Sequence, residues 1–220
     1  MHVSTICRLL AEHGFTRKKV QHVALQRRME LRAAFMASVY MFSEDMFIWV
    51  DESGSDSKDQ LRKYGYALCG ERAVCRRLLV RGKRVSAIAA LSTEGLVALE
   101  LTDGSVDGDT FYDFVRGSLI PEMNPFDGCS PMSVAVMDNC SIHHTDDIAE
   151  LFRSAGILLM YLPPSSPDTN PIELAFGYVK AYLKEHQDLL GFINHTHIVH
   201  AAFNSITKEQ CKGWISKSGY

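Results

Sequence analysis

The length and composition of this chain exclude several classes of protein. Its 220 residues are enough for one domain with a substantial core, and 46% hydrophobic with 22% charged residues are typical of a globular protein. No apolar run approaches the roughly 18 residues that cross a bilayer, and residues 1–10 lack the apolar stretch of a secretory signal. We therefore expect an intracellular protein that makes no use of a membrane.

The charge is distributed unevenly along the chain. A formal net charge of −3 does not by itself indicate a nucleic-acid binder, but positive side chains concentrate in two stretches. They are Arg17, Lys18, Lys19, Arg27, Arg28 and Arg32 in the first stretch, and Arg72, Arg76, Arg77, Arg81, Lys83 and Arg84 in the second. Such clusters are usually solvated surface, and they also suit contacts with phosphate, so both interpretations stay open.

The cysteines and histidines do not indicate a metal site. The six cysteines lack the paired short spacing of a zinc site and are expected to be free thiols in a reducing compartment. His195, His197 and His200 form the densest group of nitrogen ligands, but no cysteine or carboxylate accompanies them at a matching spacing. We expect these three histidines to lie on a helix surface.

The first part of the chain is predicted to be helical. Ser4 to Ala11 places apolar residues on one face of a short helix that ends at Gly14. Thr16 then caps a longer helix that continues to Val39. The first two dozen residues supply no core of their own, which indicates the end of a helical module.

Three strands follow the helical segment. Met46–Val50 is an apolar strand that ends at Asp51, and the polar residues after it predict a loop. Val85–Leu91 and Leu96–Leu101 are extended segments joined by a short turn. Three strands connected in this way predict an antiparallel meander.

Helices and strands then alternate. Asp109 is predicted to cap an amphipathic helix, and Val134–Met137 is an apolar strand that ends at Asp138. A helix over Ile148–Ser154 and an apolar strand at Ile157–Leu162 follow. Because this alternation comes after a meander, we predict a mixed α/β sheet covered by helices.

The stretch after the last strand fixes one carboxylate at a helix start. Its three prolines exclude regular structure through Pro167, and Asn170 followed by Pro171 is typical of a helix N-terminus. Glu173 then falls in the first helical turn. Two roles are open for it: a capping box with the Asn170 amide, or a functional group aimed by the loop.

Three acidic residues are therefore predicted near one edge of the sheet. Asp51 and Asp138 each follow an apolar strand, and Glu173 follows a third strand and its loop. In open α/β sheets, functional groups collect at the carboxyl ends of strands. Three converging carboxylates repel one another unless cations neutralise them, and their oxygens suit hard divalent ions. Two such ions can support phosphoryl transfer.

Four motifs resemble those of the mariner-like transposases and their DDE superfamily endonuclease domain. They are Trp49–Gly54 (WVDESG), Arg62–Tyr66 (RKYGY), Met137–His144 (MDNCSIHH) and Leu162–Glu173 (LPPSSPDTNPIE). The 34 residues between Asp138 and Glu173 match the spacing of one major branch of that superfamily. The resemblance implies a ribonuclease H-like fold, with a mixed five-stranded sheet flanked by helices.

The resemblance also implies a division of the chain. Residues 1–41 would be the remnant of a helix-turn-helix DNA-binding region and its linker helix, and residues 42–190 the DDE endonuclease or transposase catalytic domain. Residues 191–220 would form a C-terminal helical tail, in which Trp214 and Tyr220 are expected to pack. Because the helix-turn-helix region is incomplete, recognition of specific DNA ends is expected to be weak.

Individual residues receive roles from the same resemblance. Asp51 would bind both of two Mg²⁺ or Mn²⁺ ions, Asp138 one of them and Glu173 the other. Supporting roles around the site fall to Asn139, His143, Asp168 and Asn170. The candidates for contact with the DNA backbone are Arg62 and Lys63, to which the second basic stretch adds Arg76, Arg77 and Arg81.

The predicted function is cleavage of DNA at transposon ends, followed by strand transfer of the freed 3′-hydroxyl. The predicted partners are transposon-end and target DNA, with a second copy of the chain as a candidate partner in a homodimer. Such a protein would be nuclear in a eukaryote and otherwise cytoplasmic. Two alternatives stay open: a decayed or domesticated DNA-binding or interaction protein without cleavage, and a ribonuclease H-type or repair nuclease.

Overall fold

The computed structural model describes residues 2–16, 18, 28–56, 66–74, 84–140, 143, 146–186 and 193–220. Its frame is a five-stranded sheet with the strand order β3-β2-β1-β4-β5. The strands are β1 Phe47–Asp56, β2 Arg84–Ser92, β3 Gly95–Asp103, β4 Val134–Met137 and β5 Leu158–Tyr161. The α-helices of the described residues are α1 Val3–Glu12, α2 Met29–Val39, α3 Gly108–Phe114, α4 Asp146–Ser154, α5 Ile172–Glu185, α6 His195–Asn204 and α7 Lys208–Ser218.

The sheet is mixed, as the alternation of elements predicted. β1, β2 and β3 form an antiparallel meander, and β4 and β5 add to its other side as parallel strands. β1 is therefore the central strand, with an antiparallel neighbour on one edge and a parallel neighbour on the other. The parallel connections pass through helices, which cover the sheet.

Alternate residues of β1 point to opposite faces of the sheet. Trp49 belongs to a core cluster that α2, α5, α6 and α7 cover, whereas Val50 belongs to a second cluster that α3 and α4 cover. Because strand side chains alternate with a period of two, Asp51 continues the first face and Glu52 continues the second. This division decides which helices each of these two carboxylates can reach.

β1 is longer than the sequence predicted. It runs past Asp51 to Asp56, and its second half pairs with β2 down to the Asp56–Arg84 pair. The predicted end at Asp51 was wrong because the apolar pattern stops at Val50 and burial decreases after Asp51, while backbone pairing with β2 continues. The polar residues Glu52–Asp56 are thus part of the sheet and not a loop, and the rest of the predicted loop lies outside the described residues.

The helix after the meander also begins differently. α3 is capped by Asp107, whose Oδ1 accepts a hydrogen bond from the Thr110 amide at 2.9 Å, and not by Asp109 as predicted. Asp109 lies within the first turn of α3. Both residues are acidic and suit a helix N-terminus, so the local pattern alone could not separate them.

The N-terminal helices differ in how they contact the rest of the protein. α1 has no buried residue, whereas Phe35 and Val39 of α2 are buried in the core cluster shared with the sheet. The predicted start of the second helix near Thr16 cannot be compared, because residues 19–27 lie outside the described residues. The domain boundary at residue 41 stays a prediction, but α2 contributes to the core of the sheet.

The C-terminal helices complete that same core. The ring of Tyr220 lies 4.7 Å from that of Trp49, and the ring of Trp214 lies 5.9 Å from that of Tyr178, so both predicted packing residues do pack. His197 and His200 are exposed on α6, and His195 is partly buried beside Ser55. No helix of the described residues is long and apolar enough to cross a membrane.

Candidate active site

Two of the three predicted carboxylates lie side by side at the edge between β1 and β4. Val50 and Met137 form the last pair of this parallel ladder, and Asp51 and Asp138 are the next residues of the two chains. Neighbouring strands lie about 4.8 Å apart, so the two aspartates begin from adjacent backbone positions. Asp51 is buried, with 7% of its surface exposed, and the Asp138 side chain is 42% exposed.

Two neutral donors hold the Asp51 carboxylate. The Glu52 amide donates to Oδ1 at 2.8 Å, and Asn170 Nδ2 donates to Oδ2 at 2.8 Å. Burial, followed by the negative charge of Asp138 and smaller effects of Glu52 and Glu173, raises the pKa of Asp51 to about 8. The site therefore favours either a proton on Asp51 or an external positive charge beside it.

Asn170 has a role other than the predicted helix cap. Helix α5 begins at Ile172 with Pro171 at its cap position, and no side chain caps it. The Asn170 side chain is instead turned toward Asp51, and its Oδ1 is buried without a hydrogen-bond partner among the described residues. The capping prediction was wrong because a buried carboxylate, distant in sequence, competes for the same amide.

The loop before α5 is held by its own hydrogen bonds. Thr169 Oγ1 donates to the Ser166 carbonyl at 2.7 Å, and the Asn170 amide donates to the Pro167 carbonyl at 3.0 Å. Ser165 adopts a positive φ of 55°, a conformation that costs free energy for a residue other than glycine. The loop is thus a defined structure that presents Asn170 and then Glu173.

Glu173 lies in the first turn of α5 and is exposed. It does not form the capping box that the sequence left open, because α5 has no side-chain cap. Its charge contributes to the raised pKa of Asp51, so the two carboxylates are within electrostatic reach of each other. Among the described residues, however, no three His, Cys, Asp or Glu side chains converge closely enough to form a complete metal-binding group.

His143 joins the second aspartate to a residue that the sequence analysis did not single out. Its Nδ1 lies 2.7 Å from Asp138 Oδ1 and its Nε2 lies 2.8 Å from Glu52 Oε1, and its side chain is fully buried. The ring packs on Phe111 with centroids 4.4 Å apart, and the Tyr161 hydroxyl donates to its carbonyl at 2.8 Å. The imidazole is therefore held at both nitrogens and by one aromatic ring, and the Tyr161 hydroxyl holds the backbone of the same residue.

The protonation of His143 follows from its two partners. Burial alone lowers the pKa of His143, but the hydrogen bonds and charges of Asp138 and Glu52 outweigh it and raise that pKa to about 10. A carboxylate can only accept, so an imidazole between two carboxylates needs a proton on both nitrogens. Glu52 was missed although it directly follows Asp51 in the first motif, because its partner lies 91 residues away.

The region that contains these residues matches a known family. The family model described as DDE superfamily endonuclease matches residues 46–192 of the chain, which include Asp51, Asp138 and Glu173. The chain belongs to the DDE superfamily endonucleases. No curated protein sequence matches it.

Solved structures of Mos1 transposase share the fold of this endonuclease. The Mos1 strand transfer complex matches 99% of this chain and 70% of that chain, with a TM-score of 0.59 and 14% identity. The Mos1 paired-end complex with the left transposon end gives a TM-score of 0.59 at 14% identity over 98% and 70% of the two chains. At such identities the likeness is one of fold, and the fold is ribonuclease H-like, as the resemblance implied.

The remaining predicted residues of the endonuclease fall into two groups. Asn139 is exposed next to Asp138, and Asp168 is bound by Arg32 of α2. The predicted DNA contacts cannot be located, because the structure does not describe these residues: Arg62, Lys63, Arg76, Arg77 and Arg81.

Proposed function

We propose that this endonuclease is the catalytic domain of a mariner-like DNA transposase. It would cleave phosphodiester bonds at transposon ends and transfer the freed 3′-hydroxyl to target DNA. The observation that carries the proposal is the position of Asp51 and Asp138. They directly follow the last pair of two adjacent parallel strands, within the region that the family model matches.

The proposed cofactors are Mg²⁺ or Mn²⁺ ions. The candidate ligands, Asp51, Asp138 and Glu173, supply the carboxylate oxygens that hard cations prefer. They fit the role because burial, followed by the negative charges of Asp138, Glu52 and Glu173, raises the pKa of Asp51. A bound cation would favour the charged carboxylate and so oppose that shift. When bound, two such ions activate the attacking oxygen and stabilise the leaving oxygen. Mos1 paired end complexes have been solved with Mn and with Mg.

The surrounding residues would orient the two aspartates. Asn170 and the Glu52 amide fix both oxygens of Asp51 without adding a positive charge, so that the carboxylate keeps its attraction for a cation. His143 binds Oδ1 of Asp138, which fixes the direction in which that carboxylate faces. Outer residues of this kind typically change metal affinity or activity about 10- to 100-fold when mutated.

The proposed substrate is DNA. Mos1 was solved with a transposon end in a paired-end complex, and we propose that this chain also holds transposon ends and target DNA, as a homodimer. Its contacts would be mainly with phosphates through the two basic stretches, except for Arg32, which binds Asp168. Such contacts predict sequence-independent, salt-sensitive binding. The protein would then work where the DNA is, in the nucleus of a eukaryote or in the cytoplasm of a prokaryote.

A nicking assay on supercoiled plasmid with Mn²⁺ tests the proposed function. The wild-type chain should nick the plasmid in a metal-dependent manner, and Asp51→Asn should not. Glu150→Gln serves as a matched control, since Glu150 is an exposed carboxylate paired with Arg153 on α4. An RNA–DNA heteroduplex as second substrate distinguishes a ribonuclease H-type enzyme. If the wild type binds DNA without nicking it, the non-cleaving alternative is the correct one.

A further inference from the structure

A side chain from α2 reaches the loop that carries Asn170. Arg32 Nη1 donates to Asp168 Oδ1 at 2.9 Å, and Arg32 Nη2 donates to Asp168 Oδ2 at 2.6 Å. The two residues are 136 positions apart in the sequence. Because both nitrogens of the planar guanidinium bind both carboxylate oxygens, the contact fixes the orientation of Asp168 as well as its distance.

Arg32 is itself held in place by the packing of its helix. Phe35 and Val39, on the following turns of α2, are 8% and 3% exposed and belong to the core under the sheet. Met36 lies against the C-terminus, where a side chain at Gly219 would meet its terminal methyl group at 3.3 Å. The Arg32 side chain is only 20% exposed. It therefore extends from an anchored helix and is not a freely moving surface cation.

Asp168 is connected to Asp51 by a short and rigid path. It lies in the single turn Pro167–Thr169, in which Thr169 is 1% exposed and bonded to the carbonyl of Ser166. The next residue, Asn170, is 2% exposed and donates to Asp51 Oδ2 at 2.8 Å. A shift of Asp168 would therefore move the amide that orients Asp51.

We propose that Arg32 is a positioning residue of the active site, acting through Asp168 and Asn170 on Asp51. This inference rests on the proposed function, because it assigns a metal-binding role to Asp51. Ion pairs that are partly exposed contribute little to folding stability, and the Asp168 side chain is 45% exposed. The pair should therefore matter more for metal binding than for the stability of the fold.

The test is Mn²⁺ binding by the metal-free protein, measured by titration calorimetry without DNA. Arg32→Ala should weaken Mn²⁺ binding about tenfold, with a thermal midpoint close to that of the wild type. Arg32→Lys, which keeps the charge but loses the two-pronged contact, should also weaken it. Arg153→Ala is the matched control, because Arg153 forms an exposed pair with Glu150 on α4 and should bind Mn²⁺ like the wild type.

A double-mutant cycle separates a path through Asp168 from a general effect of charge. Arg32→Ala should cause no further loss of Mn²⁺ affinity in a protein that already carries Asp168→Asn. Additive losses, or an Arg32→Ala protein with wild-type affinity, would overturn the inference. If the wild type itself neither binds Mn²⁺ nor nicks plasmid, the proposed function fails instead, so the two failures are distinguishable.

Discussion

Replacing Asp51 by Asn should change how the stability of the metal-free protein depends on pH. Asp51 is buried, and burial together with the charge of Asp138 raises its pKa from 3.8 to about 8. The folded protein therefore binds the Asp51 proton more tightly than the unfolded chain does. This tighter binding of the proton stabilises the folded protein fully below pH 3.8, and the stabilisation is lost as the pH rises to about 8. The amide side chain of the variant would carry no charge at any of these pH values.

The size of this effect can be bounded from the same pKa. Between the unfolded and folded pKa values, each pH unit lowers the free energy of unfolding by about 1.4 kcal/mol. Structural relaxation and water entry make the total change over these pH units smaller than this slope implies, since charged groups in proteins interact as if in a medium of fairly high dielectric constant. Between pH 5 and pH 8, we expect the free energy of unfolding of the wild type to fall by about 2–3 kcal/mol more than that of Asp51→Asn.

Hydrogen bonding makes a second contribution to the stability difference between the two proteins, and this contribution does not depend on pH. Two donors, the Glu52 amide and Asn170 Nδ2, face the Asp51 oxygens, and an Asn side chain offers only one acceptor oxygen. The lost bond costs about 1 kcal/mol. Asn170 Oδ1 has no hydrogen-bond partner within the described part of the chain. Rotation of the Asn170 amide would let this oxygen accept from the new side chain and recover part of the loss. This term shifts the whole profile of the variant without changing its slope.

Urea unfolding of both proteins at pH 5 and pH 8, with EDTA, measures the difference. Comparison of the two proteins cancels the effects of other titrating groups, including His143. The raised pKa of His143 stabilises both proteins, and this contribution decreases as the pH rises from 6.5 to about 10. With Mn²⁺ at about 100 times its dissociation constant, the free energy of unfolding of the wild type should increase by about 2.7 kcal/mol. That of the variant should increase much less. Parallel pH profiles for the two proteins would refute the electrostatic account of Asp51.

Three further changes test other parts of the site. Glu173→Gln should alter the free energy of unfolding of the metal-free protein by less than about 1 kcal/mol. The same change should abolish Mn²⁺-dependent nicking. A Gln variant that nicks at the wild-type rate would exclude Glu173 as a ligand. Glu52→Gln removes a charged partner of the buried imidazole and should lower the free energy of unfolding in urea by about 1–2 kcal/mol at pH 7; an unchanged value would show that the contact is weak. Combined replacement of Arg76, Arg77 and Arg81 by Ala should reduce the slope of DNA affinity against salt, as measured by fluorescence anisotropy.

The sequence alone determined the order of the elements and the type of sheet. Alternating apolar segments and helix signals predicted the meander, two further strands of a mixed sheet and the helices between them, because local periodicity reports which faces are buried. The end of β1 was missed, since its second half is held by backbone pairing with β2 and only partly by burial. Motifs placed Asp51, Asp138 and Glu173 as candidates before any contact was known.

Only the tertiary structure decided how these candidates are held. Asn170 binds Asp51 across 119 positions, His143 binds Glu52 across 91, and Arg32 binds Asp168 across 136. No local pattern encodes such pairs, because each depends on the face to which a strand residue points and on the helix that covers that face. Asn170 illustrates the reason: its sequence position favours a helix cap, but the buried carboxylate of Asp51 binds its amide instead.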